Sequence, residues 1–276
     1  MKVAILIVVY NKQLNESETL ISLIRLLKDN NEKIAYCRIV NNGPIEINND
    51  LLIPDNMVVD FIQSITNRPL SMIYNDFIDD YESFDRFVVL DDDSELNRQY
   101  LDIVFQEQHY DIELPKIYDN NGKVFFPIIN NKVITPVQNN IDNSKNVITS
   151  ISSGLIISNK VFDLFRENGI KPFNESFAFY GVDTSFFWEL NKSVFDNLQI
   201  SSNSKIIHDL SMTGFISESR KLEMDLAIFL ELRHYPYLVN FEIATKRLLT
   251  AIKERRWQAL IAMSKTFLKG KHPKCI

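Results

Sequence analysis

Asp91-Asp92-Asp93 is the densest group of potential ligands in this sequence. Three adjacent carboxylates repel one another unless water or a cation neutralises them. Mg²⁺ and Mn²⁺ take oxygen ligands and bind through one or two carboxylates together with substrate phosphates. The triplet closes the apolar run Phe87–Leu90, so it sits where a strand ends. Carboxylates at the ligand edge of an open sheet suit a metal–diphosphate site; the alternative is a solvated acidic loop. Asp183 opens a helical stretch, where an Asp commonly caps the first turn. His208 stands alone in sequence, and imidazole serves as a metal ligand only where the fold supplies company.

The elements that must position these residues alternate. Val3–Val9 is apolar and β-branched throughout, as expected of a strand buried on both faces. Helical spacing follows over Glu16–Lys28, with Leu20, Leu23, Ile24 and Leu27 on one face. Ile34–Val40 reads as a second strand, stopped by the turn Asn41-Asn42-Gly43-Pro44. Met57–Ile62 and Phe87–Leu90 are further strands, with a helix over Pro69–Asp79 between them. Such alternation predicts an open α/β sheet with helices on both faces and ligands beyond the carboxyl ends of its strands. Tyr10-Asn11, Asn41-Asn42 and Asp91–Asp93 all fall at such ends.

Further on, Asn120-Asn121-Gly122 predicts a hairpin between Lys116–Tyr118 and Lys123–Phe126. A strand is expected over Ser150–Ser158, with helices over Lys160–Glu167 and about Asp183–Lys192. From Lys221 the chain reads as helical to Lys269, broken near Pro236.

The 276 residues are 45% hydrophobic and 24% charged, an ordinary globular composition with enough chain for a large core. Cys37 and Cys275 lack partners at redox or metal-ligand spacing, which argues against a disulfide framework and for a reducing, cytoplasmic setting. The short apolar run at the N-terminus reads as a strand rather than a secretory leader. No stretch approaches the roughly 18 apolar residues of a membrane span. Charge is uneven. Residues 246–276 carry nine Lys and Arg against Glu254 alone, a net of +8, while the rest of the chain has a net of −14. An acidic body speaks against nucleic acid as a partner.

Several motifs, taken in order over roughly residues 1–215, resemble glycosyltransferase family 2. Val8-Val9-Tyr10-Asn11 is similar to the family's first strand and its nucleotide-contacting exit. Ile39-Val40-Asn41-Asn42-Gly43 resembles the second-strand motif, with Asn41 where the family usually has a base-reading Asp; an amide still offers a donor and an acceptor. Asn67-Arg68-Pro69-Leu70-Ser71 through Asn75 resembles the Asn-x-Gly…Asn segment near the donor, with Pro69 in the glycine's place. Val88 to Glu95 is similar to the Asp-x-Asp motif. Ile151-Ser152-Ser153-Gly154-Leu155-Ile156 resembles the acceptor-side strand, where a glycine admits a ligand to the backbone. Pro172 to Glu175 and Phe179 to Asp183 resemble the acidic segment ending in the catalytic base, Trp188 falls where many members carry an aromatic, and Ile207-His208-Asp209 resembles the late His motif.

The resemblance implies a GT-A type, Rossmann-like mixed sheet flanked by helices over residues 1–215, with a helical, basic amphipathic appendage over 216–276. It implies inverting transfer of a hexose or deoxyhexose from a UDP- or dTDP-sugar to a glycan or lipid-linked glycan in cell-surface polysaccharide synthesis. Asp183 would be the base and Glu175 would hold an acceptor hydroxyl. Tyr10, Asn11, Asn41, Asn67, Asn75, Asp91 and Asp92 would face the donor; Ser153, Gly154 and Trp188 would lie on the acceptor side. Asp93, His208 and Asp91 would hold Mn²⁺ or Mg²⁺. Tyr10 either stacks on the base or walls the core. The basic tail either packs on the protein or a second copy, or meets the inner face of the plasma membrane. Two rivals remain for comparison. A nucleotidylyltransferase would need a glycine-rich loop after the first strand, where Tyr10-Asn11-Lys12-Gln13-Leu14 stands instead. A non-catalytic nucleotide-sugar-binding or scaffold protein would have no reason to keep Asp91, Asp93, Asp183 and His208 together.

Overall fold

A computed structural model describes all residues except 31–32, 49, 108–109 and 209–216. In chain order it runs through β1 (Val3–Val9), α1 (Glu18–Lys28), β2 (Ala35–Asn41), β3 (Met57–Gln63), α2 (Leu70–Asp80), β4 (Arg86–Asp91) and β5 (Ser94–Glu95). Then follow α3 (Arg98–Phe105), β6 (Ile112–Glu113), β7 (Lys116–Tyr118), β8 (Val124–Phe126), β9 (Ile128–Ile129), β10 (Lys132–Val133), β11 (Gln138–Ile141), β12 (Ile148–Thr149) and β13 (Leu155–Ser158). The remainder comprises α4 (Asn159–Glu167), α5 (Val182–Leu190), β14 (Ile200–Ser202), β15 (Lys205–His208), α6 (Glu218–His234), α7 (Leu238–Lys253) and α8 (Trp257–Lys269).

The chain forms two compact units. One comprises Met1–Asn67, Asp76–Ile170 and Leu190–Leu210; the other Arg68–Asn75, Lys171–Glu189 and Ser211–Ile276. The first is built on an eight-stranded mixed sheet in the order β11-β14-β6-β13-β4-β1-β2-β3. β1 is buried at every position, as its unbroken apolar run requires. It pairs in parallel with β2 and β4, with Val9 opposite Asn41 and Val8 opposite Asp91. This register brings the ends of three strands to one edge, so the polar residues that follow each strand share that edge. The mixed sheet flanked by helices is the fold class expected from the sequence.

A four-stranded sheet, β5-β15-β7-β8, lies in the same unit. Its β5–β15 ladder is antiparallel, with Ser94 opposite His208 and Glu95 opposite Ile207. The hairpin at Asn120–Gly122 is present, closed by the Gly122 amide on the Asp119 carbonyl at 3.0 Å. The strand expected over Ser150–Ser158 is shorter than its sequence suggests. It begins at Leu155, because Ser152–Leu155 turns back on itself (Leu155 N to Ser152 O, 3.0 Å) through Gly154 at φ +86°.

In the second unit the long helical stretch breaks twice rather than once. One break lies near Pro236. The other lies at Glu254–Arg256, where Arg255 takes φ +56° without any glycine or proline to announce it. Helices α6, α7 and α8 meet around Leu226, Ala251, Ala259 and Met263. Asp225, buried on α6, binds Arg256 at 2.7 Å and faces Arg247 at 3.9 Å, which ties α6 to the α7–α8 turn. Among the described residues no helix is long and apolar enough to cross a membrane.

Candidate functional site

Asp91, Asp93 and His208 converge. One ligand atom from each lies within 4.8 Å of the others. The β5–β15 ladder is the cause: its register sets His208 against Ser94, the residue that follows the acidic triplet. Ser94 Oγ lies 2.9 Å from His208 Nδ1 and 2.9 Å from Ser153 Oγ, and Ser153 Oγ accepts the Asp91 amide at 3.1 Å. Carbonyls of the triplet are held by α1 and its cap: Thr19 Oγ1 donates to Asp91 O at 2.6 Å and Ser17 Oγ to Asp92 O at 2.9 Å. The carboxylates are therefore presented from a loop fixed on both sides.

Asp93 has a buried carboxylate oxygen, Oδ1, without a hydrogen-bond donor, 3.2 Å from His208 Nδ1. Burial pushes its carboxyl above the usual range and the Asp92 charge adds to this, while His208 and Lys12 oppose it. An unsatisfied buried carboxylate costs free energy that a cation removes. Two carboxylates and an imidazole form a donor set fit for a divalent ion, and this arrangement fits the metal that the resemblance implied. Asp209, part of the same motif, lies outside the described residues.

Asp92 is used differently from its neighbours. Its Oδ2 accepts the Tyr10 amide at 2.9 Å and its Oδ1 the Lys12 ammonium at 2.6 Å. Burial alone would lower the Lys12 pKa, but its bond to Asp92 and the charges of Asp92 and Asp93 raise it overall. Sequence reasoning missed Lys12, although a cation three residues past a strand that ends beside the triplet is the available signal. Tyr10 is half exposed at this edge, and Asn11 takes φ +55° with its amide on Gly43 O at 2.8 Å.

Three of the expected site residues have partners within the fold. Asn41 is only 1% exposed, and its amide is turned inward. Its nitrogen donates to Ile45 O at 2.7 Å and Gln63 Oε1 at 2.6 Å, while its oxygen accepts the Gly43 amide at 3.0 Å. It shapes the loop after β2 rather than standing open to a base edge. Ser153 is buried and holds the acidic loop, as described. Gly154 packs closely: a Cβ there would lie 2.7 Å from Ile206 Cδ1 and 2.9 Å from Pro115 Cγ, so a larger side chain would not fit. Asn67, at φ +52°, lies just past β3 and accepts from Asn42 Nδ2 at 3.3 Å.

In the second unit, Asn75 is buried and braces the acidic segment. It donates to Phe173 O at 2.8 Å and to Glu175 Oε1 at 3.1 Å, and accepts the Phe173 amide at 3.2 Å. Asn75 therefore orients Glu175. Asp183 is the second residue of α5, inside the first turn rather than at its cap. Gly181 precedes it at φ +81°, where a Cβ would meet Phe177 at 2.6 Å. Trp188 stacks on Tyr237 at 4.7 Å and 25°, and on Tyr235 at 6.2 Å and 20°; its buried Nε1 has no acceptor. Sequence reasoning also missed Glu231 on α6. Burial raises its carboxyl to about 7 despite a hydrogen bond from Thr184.

No family model and no curated protein matches the chain. Solved structures do. TarS of S. aureus superposes with a TM-score of 0.53 at 16% identity, covering 90% of this chain and 42% of that one. Its 1–349 fragment gives 0.56 at 14% identity, covering 99% and 93%, and the same fragment in complex with UDP-GlcNAc gives 0.52 at 13% identity with the same coverage. This chain thus spans less than half the length of the longer TarS structure and nearly all of the fragment. At such identities the likeness is one of fold, and the chain has the fold of the TarS 1–349 fragment.

Proposed function

We propose that this protein is a metal-dependent, inverting glycosyltransferase that moves a hexose or deoxyhexose from a UDP- or dTDP-sugar to a glycan or lipid-linked glycan. The observation that carries this reading is the convergence of Asp91, Asp93 and His208, with its orphaned carboxylate oxygen, at the carboxyl edge of the parallel strands. That edge is where open α/β sheets bind nucleotides. The fold shared with a TarS fragment crystallised with UDP-GlcNAc supports the same donor class. In this proposal residues 1–215 form the transferase domain and 216–276 the helical appendage, in a cytoplasmic protein that works at the inner face of the plasma membrane.

Asp91, Asp93 and His208 would hold Mn²⁺ or Mg²⁺, which when bound offsets the charge that builds on a leaving nucleoside diphosphate. Tyr10 offers a ring face to the base, and Asn11 and Asn67 flank it on left-handed backbone. Lys12 keeps Asp92 paired and so holds the β1 exit in place. Asp183 takes the proton from the acceptor hydroxyl as that oxygen attacks the anomeric carbon. Glu175, oriented by Asn75, holds a neighbouring hydroxyl, and the Trp188–Tyr237 stack supplies an apolar face for the acceptor ring.

Thermal-shift titration with UDP, dTDP, GDP and CDP, each with and without Mn²⁺, tests the donor site, because a ligand of the native state raises Tm by mass action. One nucleotide should stabilise, and only with metal. Asp183→Asn should then abolish transfer while leaving that shift intact. No shift with any nucleotide would move the reading to a non-catalytic relative, and loss of donor binding in Asp183→Asn would remove Asp183 from the role of base.

A further inference from the structure

Helices α7 and α8 each have two faces of note. On α7 the inner face is Asn240, Ala244 and Ala251, all buried. At 100° per residue, Leu238 and Leu249 fall on the opposite side, with Phe241 and Ile252 on the flank between, and all four are exposed, Leu238 at 76% and Leu249 at 60%. On α8 the inner face is Ala259, Met263 and Thr266. Trp257, Ile261 and Leu268 fall opposite and are likewise exposed, Trp257 at 60% and Leu268 at 78%. Exposed Lys246 and Lys253 belong to the first helix, and exposed Lys265 and Lys269 to the second. Scattered apolar residues are ordinary on a protein surface, but two contiguous stripes on adjacent helices are not.

We propose that the outer face of α7 and α8 is a membrane-docking surface for an anionic lipid bilayer. Charge selects this occupant. The segment from Lys246 to the last residue carries a net +8 in a protein whose remainder is −14. On α7, α8 and the turn between them the exposed cations are Lys246, Lys253, Arg255, Lys265 and Lys269 against Glu242 and Glu254, while Arg247 and Arg256 are turned to buried Asp225. A symmetric contact with a second copy would set these cations against one another, whereas an anionic bilayer meets them with phosphates and the stripes with acyl chains. Trp257 lies at the start of α8 beside Arg255 and Arg256, and an indole favours the boundary between headgroups and hydrocarbon. The helices need not insert deeply: their inner faces stay packed on α6 while the outer stripes enter the interface. The proposal rests on the reading that the protein works at the inner face of the plasma membrane, but none of its residues belongs to the candidate active site, so its failure would leave the nucleotide thermal-shift test untouched.

The test is co-sedimentation of the full chain with vesicles of phosphatidylcholine alone and of phosphatidylcholine with phosphatidylglycerol. The protein should sediment with the second only, and less so as salt is raised. Trp257 emission should shift to the blue on binding, and Trp257→Phe should lose that shift. Leu249→Ser/Leu268→Ser removes two outward side chains and leaves the packed faces alone, so circular dichroism should be unchanged while partitioning falls more than tenfold. Lys246→Gln/Lys253→Gln should lower it about 25-fold, roughly fivefold for each charge. Failure to sediment with the anionic vesicles, equal binding to both compositions, or unchanged binding by the leucine pair variant would each overturn the proposal. So would a dimer in light scattering that the leucine variant converts to a monomer, since the occupant would then be a second copy.

Discussion

Replacing Asp93 by Asn should make the metal-free protein more stable and the metal-loaded protein less so. In the folded chain the Asp93 carboxylate is partly buried, raised in pKa by desolvation and by Asp92, and its buried oxygen Oδ1 has no donor. Leaving a buried polar or charged group unsatisfied costs about 1–3 kcal/mol. Asn keeps the shape, loses the charge and can offer its amide nitrogen to the same surroundings, so the metal-free variant should gain about 1–2 kcal/mol. For a chain of this length that is about 2–6 °C in Tm. Wild type, in turn, should gain about 2.7 kcal/mol from Mn²⁺ at a hundred times its dissociation constant, and the variant should gain almost none. The two proteins therefore exchange rank as metal is added. Differential scanning calorimetry with chelator, and then with Mn²⁺, reads both limbs. An Asp93→Asn variant that is less stable in chelator, or that keeps the full Mn²⁺ shift, would refute the claim that the orphaned oxygen is a ligand.

Other consequences are open to measurement. Glu231 has a folded pKa near 7, raised by burial above the ordinary 4.5, so the stability it contributes is full below about pH 4.5 and lost as pH rises through 7. Glu231→Gln should flatten that profile and exceed wild type by about 3 kcal/mol at pH 8, and parallel urea midpoints at pH 5 and pH 8 would contradict it. Asp225→Ala removes the buried partner of Arg256 and leaves it only the exposed Glu218 at 3.2 Å, which should cost about 1–3 kcal/mol, seen as faster proteolysis between α7 and α8; an unchanged rate would mean that the pair does not hold those helices. Gly154→Ala forces a Cβ onto Ile206 and Pro115 at φ +86° and should cost about 2–4 kcal/mol. Because Ile206 lies on β15, it should also weaken Mn²⁺ binding at His208, which isothermal titration can follow.

The parts of the fold that could be read from sequence are those in which one residue pattern has one physical solution. β1 and β4 are apolar runs, and a strand buried on both faces is what such runs form. Asp91 and Asp93 could be placed because they end such a strand. Where partners are distant, the pattern fails. β5 and β15 are short strands separated by more than a hundred residues, with no alternation to betray their pairing, so the position of His208 beside Asp93 came from family resemblance and not from residue spacing. Ser153 and Gly154 read as a strand beside a ligand because their local types allow it, yet the crowding that decides the glycine's role comes from Ile206 and Pro115. Asn41 could offer an amide to a base on chemistry alone, and only the loop around Gly43 and Ile45 shows where that amide is spent. The break at Arg255 is invisible for the opposite reason: Arg is an ordinary helix former, and the left-handed turn there is imposed by the packing of α8 back on α6.

The two-rung ladder between β5 and β15 also bears on the order of assembly. Ser94 and His208 are 114 residues apart, so the cation site cannot exist until a loop of that length has closed, and closure of long loops is among the slower steps of folding. During synthesis the parallel strands β1 to β4 can pair long before His208 emerges, and Asp91 and Asp93 wait as bare carboxylates. A divalent ion that needs all three groups would discriminate between a chain that has closed and one that has not, and by mass action would draw the population toward the closed form. A divalent ion held by these three groups would then influence the yield of folded protein, and a chain kept without it would accumulate an open intermediate with the leading strands formed and the late ladder missing.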